Sequence, residues 1–506
     1  MDYQNPKICF VGIGAKQLSI SLLSAVCKKQ GWDTFLAYNA SLFNDRFKLN
    51  NSSLGNLFDE TDKVLKKIDS VNPDLVAFSP LTSTYQWSLK VAKKIKCKNP
   101  EIKTVFGGVH VSAVPDLIIK EEAIDFVVIG EGEKALVEIV KFIKSKEEKK
   151  KEIPNTLYKT KRGFTVKGPL IDFCKDLDSI PDYDQEIWNN YLNISGLYTT
   201  TIARGCPNKC SYCFNNFYSK IPKNNQGYLR FRSVDNVINE LKKVKNKYNV
   251  KYIDFVDDSF TASKKWLEGF LRTYRKEIEL PFQCLVNSKF INKEIIDILE
   301  RSGCKWVQMG VQSADSEYKK NSLNRHETKK EVISALKLLK KSSIKIKVDH
   351  MLGLPDEPME AQKDALKLYK EYTPERIQVF WTTYLPGTEM LKNEYEKGRV
   401  SKEELKKIRM GKKSGSHRSI NKNSSDERMY KKYELVFKII PALPNFLKRR
   451  ISRKTVKKVP IKILSPIAFV VDLVRGLFLK NPDFINYFKY YTYQTGRVIR
   501  EKITKL

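Results

Sequence analysis

The chain has 506 residues, of which 41% are hydrophobic, and this composition supports ordinary globular cores rather than a disordered tail protein. Lys and Arg number 92 against 58 Asp and Glu, and the formal net charge of +34 points to an anionic partner such as nucleic acid or a membrane surface. Nine cysteines without an apolar leader argue against a secreted disulfide scaffold and favour a reducing cytoplasm. No run of about 18 apolar residues occurs, so we predict no membrane-spanning helix.

Residues 1–145 alternate short β-branched runs with helical patterns, which is typical of an α/β domain with a parallel sheet. Five strands are predicted, as in a flavodoxin-like (Rossmann-like) domain, at Ile8–Ile13, Phe35–Tyr38, Leu75–Ser79, Thr104–Phe106 and Phe126–Ile129. Ligands of such sheets bind beyond the carboxyl ends of the strands. The loops at that edge are Gly12–Gly14, Ser79–Ser83, Gly107–His110 and Gly130–Glu133.

The rest of the chain divides into three segments. Residues 146–194 are predicted to form a linker and a small hairpin, with Gly163 and Gly168 as turn points. From residue 195 to 395, six strand-like runs alternate with helical patterns, which predicts a full or partial (β/α) barrel with its site at the C-terminal strand ends. Residues 396–506 are helical in pattern and basic, and residues 401–506 hold 27 Lys and Arg against 8 Asp and Glu.

Three cysteines stand close together directly after the first barrel strand, at Cys206, Cys210 and Cys213. A tetrahedral zinc site would need a fourth Cys or His nearby, but the next are Cys284 and His326. Three thiolates suit a [4Fe–4S] cluster with one iron left open for a substrate or cofactor. The other six cysteines stand singly in apolar or helical contexts and are interpreted as packing residues.

The Cys-x3-Cys-x2-Cys loop in this context resembles the radical S-adenosylmethionine (radical SAM) enzymes, and the resemblance covers residues 195–390. It implies that SAM chelates the open iron and that one-electron reduction cleaves SAM to methionine and a 5′-deoxyadenosyl radical. The same resemblance implies SAM-binding residues in the cysteine loop and at the strand ends. Gln312 replaces the usual glutamate, and the Gly-Gly-Glu motif of many members is absent. The implied SAM-binding residues are Tyr212, Asp257, Asp258, Gln312, Ser313, Arg325 and Gly353.

The glycine-rich turns Gly-Gly-Val-His at 107–110 and Ile-Gly-Glu-Gly-Glu at 129–133 resemble the cobalamin-binding domain of B12-dependent radical SAM enzymes. Cobalamin-binding residues implied by that resemblance are Ser79, Thr82, Gly107, Gly108, His110, Gly130, Glu131 and Gly132. The Asp-x-His-x-x-Gly motif that supplies a histidine to cobalt in some B12 proteins is absent from the loop after the first strand. His110 is interpreted as touching the corrin edge or phosphate; a satisfied surface histidine, and a vestigial domain without cobalamin, remain open.

The resemblance implies hydrogen abstraction from an unactivated carbon, followed by methylation or by rearrangement, and activity only without oxygen. No general base is nominated. One alternative is a methylthiotransferase acting on tRNA or protein, which would need Cys9, Cys27 and Cys97 to hold a second cluster. Another is a non-enzymatic cobalamin or iron–sulfur sensor, which would not require a complete barrel.

The basic, apolar and tyrosine-rich segment 445–495 fits a helix lying on an anionic bilayer, so peripheral association with the inner face of the membrane is predicted. An RNA-binding surface and a plain lysine-rich surface on a capping helical domain stay open. Expected partners are a small-molecule or lipid substrate and a one-electron reductant such as flavodoxin or ferredoxin, with nucleic acid less favoured.

Overall fold

A computed structural model of the chain describes residues 5–44, 51–145, 151–160, 162–192, 196–222, 227–412, 415–416 and 424–503. Two mainly parallel sheets, one after the other along the chain, form the body of the protein. A group of C-terminal helices contacts both sheets.

The first sheet has seven strands in the order β2-β1-β3-β4-β5-β6-β7. Strands β1 to β5 are parallel and follow the flavodoxin-like order, which confirms the predicted fold of this region. The hairpin β6–β7 pairs antiparallel with β5, so the small hairpin predicted within 146–194 extends this sheet. The strands are β1 (Lys7–Ile13), β2 (Asp33–Asn39), β3 (Leu75–Phe78), β4 (Lys103–Phe106), β5 (Phe126–Val128), β6 (Thr156–Lys159) and β7 (Thr165–Lys167).

Helices cover both faces of the first sheet, and the central strands are therefore apolar throughout: all four residues of β3 are buried. Helix α3 shows the matching pattern, because its buried residues Thr61, Val64, Ile68 and Val71 recur every three or four positions. The helices are α1 (Leu18–Lys29), α2 (Ser52–Leu57), α3 (Thr61–Val71), α4 (Tyr85–Lys98), α5 (Val109–Ala113), α6 (Pro115–Ile118) and α7 (Glu133–Ser145).

The second sheet has six parallel strands in the order β15-β14-β13-β12-β11-β8, an open half-barrel that agrees with the partial form of the predicted barrel. Two short pairs, β9–β10 and β16–β17, flank it. The strands are β8 (Gly196–Thr200), β9 (Ala203–Arg204), β10 (Arg230–Phe231), β11 (Val250–Phe255), β12 (Phe282–Val286), β13 (Cys304–Gln312), β14 (Lys345–Leu352), β15 (Arg376–Trp381), β16 (Thr383–Tyr384) and β17 (Gly415–Ser416).

Helices on the outer face of the half-barrel bury one side of each strand in a single apolar core. Helix α13 begins in a capping box in which Thr328 and Glu331 satisfy each other's backbone N–H groups. The helices are α8 (Phe214–Tyr218), α9 (Val234–Tyr248), α10 (Lys264–Glu277), α11 (Lys293–Arg301), α12 (Ser316–Leu323), α13 (Lys329–Lys340), α14 (Met359–Glu371), α15 (Glu389–Glu396) and α16 (Lys402–Arg409).

The C-terminal region is helical, as predicted, and its last helix joins the two sheets. Near the start of that helix, Asp483 pairs with Lys347 of the half-barrel. Farther along it, the Tyr490 hydroxyl donates to the Ala40 carbonyl of the first sheet at 2.7 Å. The helices are α17 (Ser424–Ile439), α18 (Asn445–Arg450), α19 (Arg453–Lys457), α20 (Ile461–Phe478) and α21 (Pro482–Ile503). Within the described residues, no helix is long and apolar enough to cross a lipid bilayer.

Candidate active site between the two sheets

The three clustered cysteines lie in the loop that follows β9 and ends at α8. Cys210 is buried, and Cys206 and Cys213 are half-buried. The side-chain amide of Asn208 lies 3.7 Å from the Cys206 Sγ, and that of Asn215 lies 3.8 Å from the Cys213 Sγ. The loop therefore presents three thiols together with N–H groups that can stabilise sulfur-borne negative charge.

Burial favours the protonated thiols of Cys206 and Cys213 when no metal is bound. Burial, with smaller contributions from the neighbouring thiols and Asp258, raises the pKa of Cys213 to about 12, and burial also raises the pKa of Cys206. A coordinated metal deprotonates such thiols. Among the described residues, no three His, Cys, Asp or Glu side chains are arranged to hold a single metal ion. Three thiols within eight residues are the donor set that a [4Fe–4S] cluster with one open iron would use.

Arg325 connects the cysteine loop with the end of β13. Its Nη1 donates to the Tyr212 hydroxyl at 3.0 Å and lies 4.0 Å from the Cys210 Sγ. Its Nη2 donates to the Gly310 carbonyl at 2.7 Å, and its Nε pairs with Glu327. The guanidinium thus puts a positive charge beside a cluster ligand and already has protein partners on all three nitrogens. Its predicted role as the SAM carboxylate partner stays a prediction.

Asp257 and Asp258 follow β11, but they face different surroundings. The Asp257 Oδ1 accepts hydrogen bonds from the backbone N–H of Ile202 at 2.9 Å and of Ala203 at 2.8 Å. Burial raises the pKa of Asp257 to about 8, and its Oδ2 is buried without a partner. Asp257 therefore fixes the turn that leads into the cysteine loop, whereas exposed Asp258 contacts Asn215 within it.

The remaining predicted SAM residues lie at the ends of β13 and β14. Gln312 is half-buried with a φ of +61°, where the pairing register of β13 shifts. Ser313 is fully buried, and its hydroxyl contacts Glu357. Gly353 takes a φ of +68° in the buried turn after β14. Tyr212 and Gln312 thus lie beside Arg325 and Gly310, and Asp258 contacts the cysteine loop, whereas Ser313 is paired with Glu357.

At the facing edge of the first sheet, the turns after β3 and β4 form a polar group. The Thr82 hydroxyl lies 3.0 Å from the His110 Nδ1, while the His110 Nε2 is buried without a partner. Burial lowers the pKa of His110 to about 4, so the imidazole is neutral near pH 7. Gly108 has a φ of +88°, and a Cβ there would lie 2.9 Å from the Ser79 Oγ. The unpartnered nitrogen fits a polar ligand, and the close approach of Ser79 explains the glycine at 108.

The turn after β5 is occupied by other parts of this chain. A Cβ on Gly130, which has a φ of +78°, would lie 2.9 Å from the Phe173 ring, and one on Gly132 would lie 3.5 Å from Leu23. Gly107 has ordinary clearance, with Val128 at 3.7 Å. Close packing within the chain therefore accounts for Gly130, whereas the turns after β3 and β4 keep an unpartnered polar atom, the His110 Nε2.

Glu131 lies in a largely buried ion cluster that joins this edge to the cysteine loop. It accepts from the Arg204 Nη1 at 2.8 Å, the Arg230 Nη2 at 2.9 Å and the Cys174 backbone N–H at 2.9 Å. Arg204 also pairs with Glu133 at 2.6 Å. Burial raises the pKa of Glu131, but the two guanidiniums outweigh it and hold that pKa below its ordinary value.

The sequence reasoning missed Arg204 and Arg230. Arg204 stands two residues before Cys206, in Ala-Arg-Gly-Cys, and this position next to the first ligand was the available signal. A second contact supports the same arrangement, since Gly387, in the turn after β16, packs between Ala113 of α5 and Phe217 of α8. The C-terminal edges of the two sheets therefore face each other.

The six single cysteines differ in exposure. Cys9, Cys27, Cys284 and Cys304 are buried, as expected of packing residues, but that interpretation is wrong for Cys97, which is exposed on α4. Burial raises the pKa of Cys9 and of Cys27 to about 12. Cys9 lies on β1, and Cys27 and Cys97 lie on the helices α1 and α4, away from the strand-end loops that would hold a second cluster.

Comparison with known families identifies both halves of this arrangement. Residues 200–369 match the radical SAM superfamily, and residues 14–140 match the B12 binding domain. The chain is a radical SAM enzyme with a B12-binding domain. The resemblance inferred from the cysteine loop and the glycine-rich turns is thereby confirmed.

Two curated relatives illustrate the range of reactions among proteins similar to this radical SAM enzyme. An uncharacterized methyltransferase of Pyrococcus horikoshii is 29% identical over 338 residues, which cover 66% of this chain and 71% of the relative. The anaerobic magnesium-protoporphyrin IX monomethyl ester cyclase of Rubrivivax gelatinosus is 25% identical over 339 residues, which cover 64% of this chain and 59% of the cyclase.

Two solved structures share the fold of this radical SAM enzyme. The cobalamin-dependent SAM radical enzyme OxsB, determined with aqua-cobalamin and SAM bound, superposes with a TM-score of 0.67 at 14% identity over 99% of this chain and 81% of OxsB. The radical SAM methyltransferase TsrM of Kitasatospora setae, with cobalamin and a [4Fe–4S] cluster bound, gives 0.62 at 16% identity over 78% and 79%. At these identities the likeness concerns the fold.

Proposed function

We propose that this protein is a cobalamin-dependent radical SAM enzyme that methylates or rearranges a substrate at an unactivated carbon. When bound, the [4Fe–4S] cluster and SAM supply a 5′-deoxyadenosyl radical, and cobalamin supplies a methyl group. The observation that carries the proposal is the Glu131–Arg204 ion pair at 2.8 Å, because it fastens the glycine-rich edge of the first sheet to the cysteine loop. Cofactors held at these two edges would face one another.

The residues of this chain divide the work between holding and orienting. Cys206, Cys210 and Cys213 would hold the cluster, and Arg325 places positive charge beside the Cys210 sulfur. Asp257 holds the turn before these ligands, while Asp258 is available to a polar group of SAM. At the other edge, neutral His110 and its partner Thr82 would receive a polar group of the corrinoid.

An external one-electron reductant such as flavodoxin or ferredoxin would complete the reaction, and a reducing cytoplasm suits both this partner and the nine free cysteines. Pro207 and Lys209 are exposed on the cysteine loop and give an electron donor access to its outer side. The substrate, a small molecule or a lipid, would bind between the two edges.

The test compares cysteine variants after anaerobic reconstitution with iron and sulfide. Replacing Cys206, Cys210 and Cys213 together by Ala should abolish the cluster absorption and the release of 5′-deoxyadenosine from SAM under dithionite. The matched control Cys97→Ala, which alters an exposed cysteine on α4, should keep both. Full deoxyadenosine release by the triple variant would overturn the proposal.

A further inference from the structure

Helix α20 exposes its large apolar side chains and buries its small ones. Five of the large apolar side chains lie on one face of the helix at intervals of three or four residues. Their exposed fractions are 63% for Ile463, 46% for Ile467, 53% for Val470, 58% for Val474 and 83% for Phe478. This apolar face is about 22 Å long. On the opposite side Ala468 is buried, and a Cβ on Gly476 would come within 2.5 Å of the Phe484 ring.

The charged residues that interrupt this helix serve to attach it. Asp472 pairs with Arg376 at 2.9 Å, and the Arg475 Nε donates to the Glu375 carbonyl at 3.0 Å. Both contacts are to the beginning of β15, so α20 is fixed to the half-barrel through its charges. The outward face is left continuous and apolar.

A strongly basic segment immediately precedes the apolar face. Between residues 435 and 471 the chain contains no Asp or Glu. Seven cations of this segment are exposed, and Phe446 beside them is 62% exposed. They are Arg449, Arg450, Arg453, Lys454, Lys457, Lys458 and Lys462.

We propose that helices α18 to α20 form a docking surface for an anionic lipid bilayer. The apolar face of α20 would enter the boundary between headgroups and acyl chains, while the seven cations contact lipid phosphates. A second copy of this chain would bring a like-charged segment with it, and a polynucleotide would leave the apolar face in water. An anionic bilayer alone satisfies both features.

The surface is narrower than the segment 445–495 that the sequence suggests. The Tyr490 hydroxyl lies 2.7 Å from that of Tyr38 and also contacts the Ala40 carbonyl, so this tyrosine holds α21 to the first sheet. The proposal depends on α18 to α20 only and is independent of the proposed function, because it requires neither cofactor nor turnover.

Co-sedimentation of the full chain with vesicles tests the proposal. We expect binding to phosphatidylglycerol vesicles, little binding to phosphatidylcholine vesicles, and loss of binding in high salt. Replacing Val470 and Val474 by Glu should lower the affinity at least about tenfold. The matched control replaces two exposed apolar residues elsewhere, Phe164 and Ile499, by Glu and should bind like the wild type.

A second pair of variants separates local charge from net charge. Replacing Arg449, Arg450, Arg453 and Lys454 by Gln should weaken binding at least about a hundredfold. The same change at four lysines of α4 should have little effect, although it removes the same charge; they are Lys90, Lys93, Lys94 and Lys98. Equal losses in the two sets would overturn the proposal.

Insertion of the apolar face can be measured without weakening it. The fluorescence of the tryptophan introduced by Val474→Trp should be quenched by brominated phosphatidylglycerol. The fluorescence of the tryptophan introduced by Phe164→Trp, in the β6–β7 hairpin, should not be quenched. Absence of binding to phosphatidylglycerol, equal binding to phosphatidylcholine, or a lipid-independent dimer that Val470→Glu abolishes would each refute a bilayer as the occupant.

Discussion

Glu131→Gln removes the charge on which the buried Arg230 and the half-buried Arg204 converge. Glu131 and Arg230 retain side-chain exposures of 13% and 7%, so the change leaves a desolvated guanidinium without its anion. Breaking a buried pair in this way costs about 3–5 kcal/mol, and since Arg204 keeps Glu133 we expect about 3 kcal/mol here. The loss would fall on the contact between the glycine-rich edge and the cysteine loop.

Urea unfolding of the full chain without cofactors measures this cost. The control Glu138→Gln, at a 33% exposed glutamate paired with Lys141 and Lys151, should cost less than about 1 kcal/mol. The double variant Glu131→Gln/Arg204→Gln should lose less stability than the two single variants lose together, because the two side chains are in contact. Equal costs for Glu131→Gln and Glu138→Gln would refute the account of a buried junction.

The same contact predicts a pH dependence. The folded pKa of Glu131 is held below its ordinary value, so its stabilisation is complete above pH of about 4.3 and is lost as the pH falls through the folded pKa. The stability difference between wild type and Glu131→Gln should therefore shrink in acid. A difference that stays constant down to low pH would contradict this sign.

Gly108→Ala should lower the stability by about 1–2 kcal/mol through backbone strain and should also lower corrinoid binding, because the added Cβ meets Ser79. Gly163→Ala, which has a φ of +80° and open space around it, should show only the loss of stability in urea unfolding. The pKa of His110 in the folded chain is about 4, so the protein should lose about 3 kcal/mol of stability as the pH falls from about 6.5 to about 4. His110→Asn should remove this part of the pH profile of stability, and an unchanged profile would contradict the burial of a neutral imidazole. Asp257→Asn keeps an acceptor for the backbone N–H groups of Ile202 and Ala203 and should lower the stability by less than about 1 kcal/mol. Asp257→Ala should lower the stability by about 3 kcal/mol and should also lower the cluster content. Equal costs for the two variants would show that Asp257 does not hold the turn before the cysteine loop.

Local patterns were sufficient for the strands and the cluster loop. The β-branched runs of both sheets fall on observed strands. Central strands of the first sheet are apolar throughout because both of their faces are covered, whereas strands of the half-barrel alternate because only one of their faces lies in the core. Cys206, Cys210 and Cys213 lie within eight residues of the chain, so their proximity can be predicted without knowledge of the fold. The Pro–Gly pair at Gly387 is typical of a turn, but nothing local to it predicts the contact with Ala113 of α5.

Contacts between segments that are distant in the chain could not be predicted from the sequence. Glu131 and Arg204 are 73 residues apart, and only the facing of two sheet edges pairs them. The same applies to Arg325, whose neighbours Tyr212 and Gly310 come from different strand ends. Tyr490 illustrates the converse case: its aromatic, basic surroundings suggested a membrane surface, but its hydroxyl bonds to the first sheet.

The most direct test of a two-cofactor enzyme is the corrinoid content of full-length protein purified without oxygen from cobalamin-fed cells, with iron and sulfide measured on the same sample. The account predicts about four iron atoms and one corrinoid per chain, with the corrinoid reduced in Gly108→Ala and retained in Gly163→Ala. A complete cluster in a protein that binds no corrinoid would contradict it.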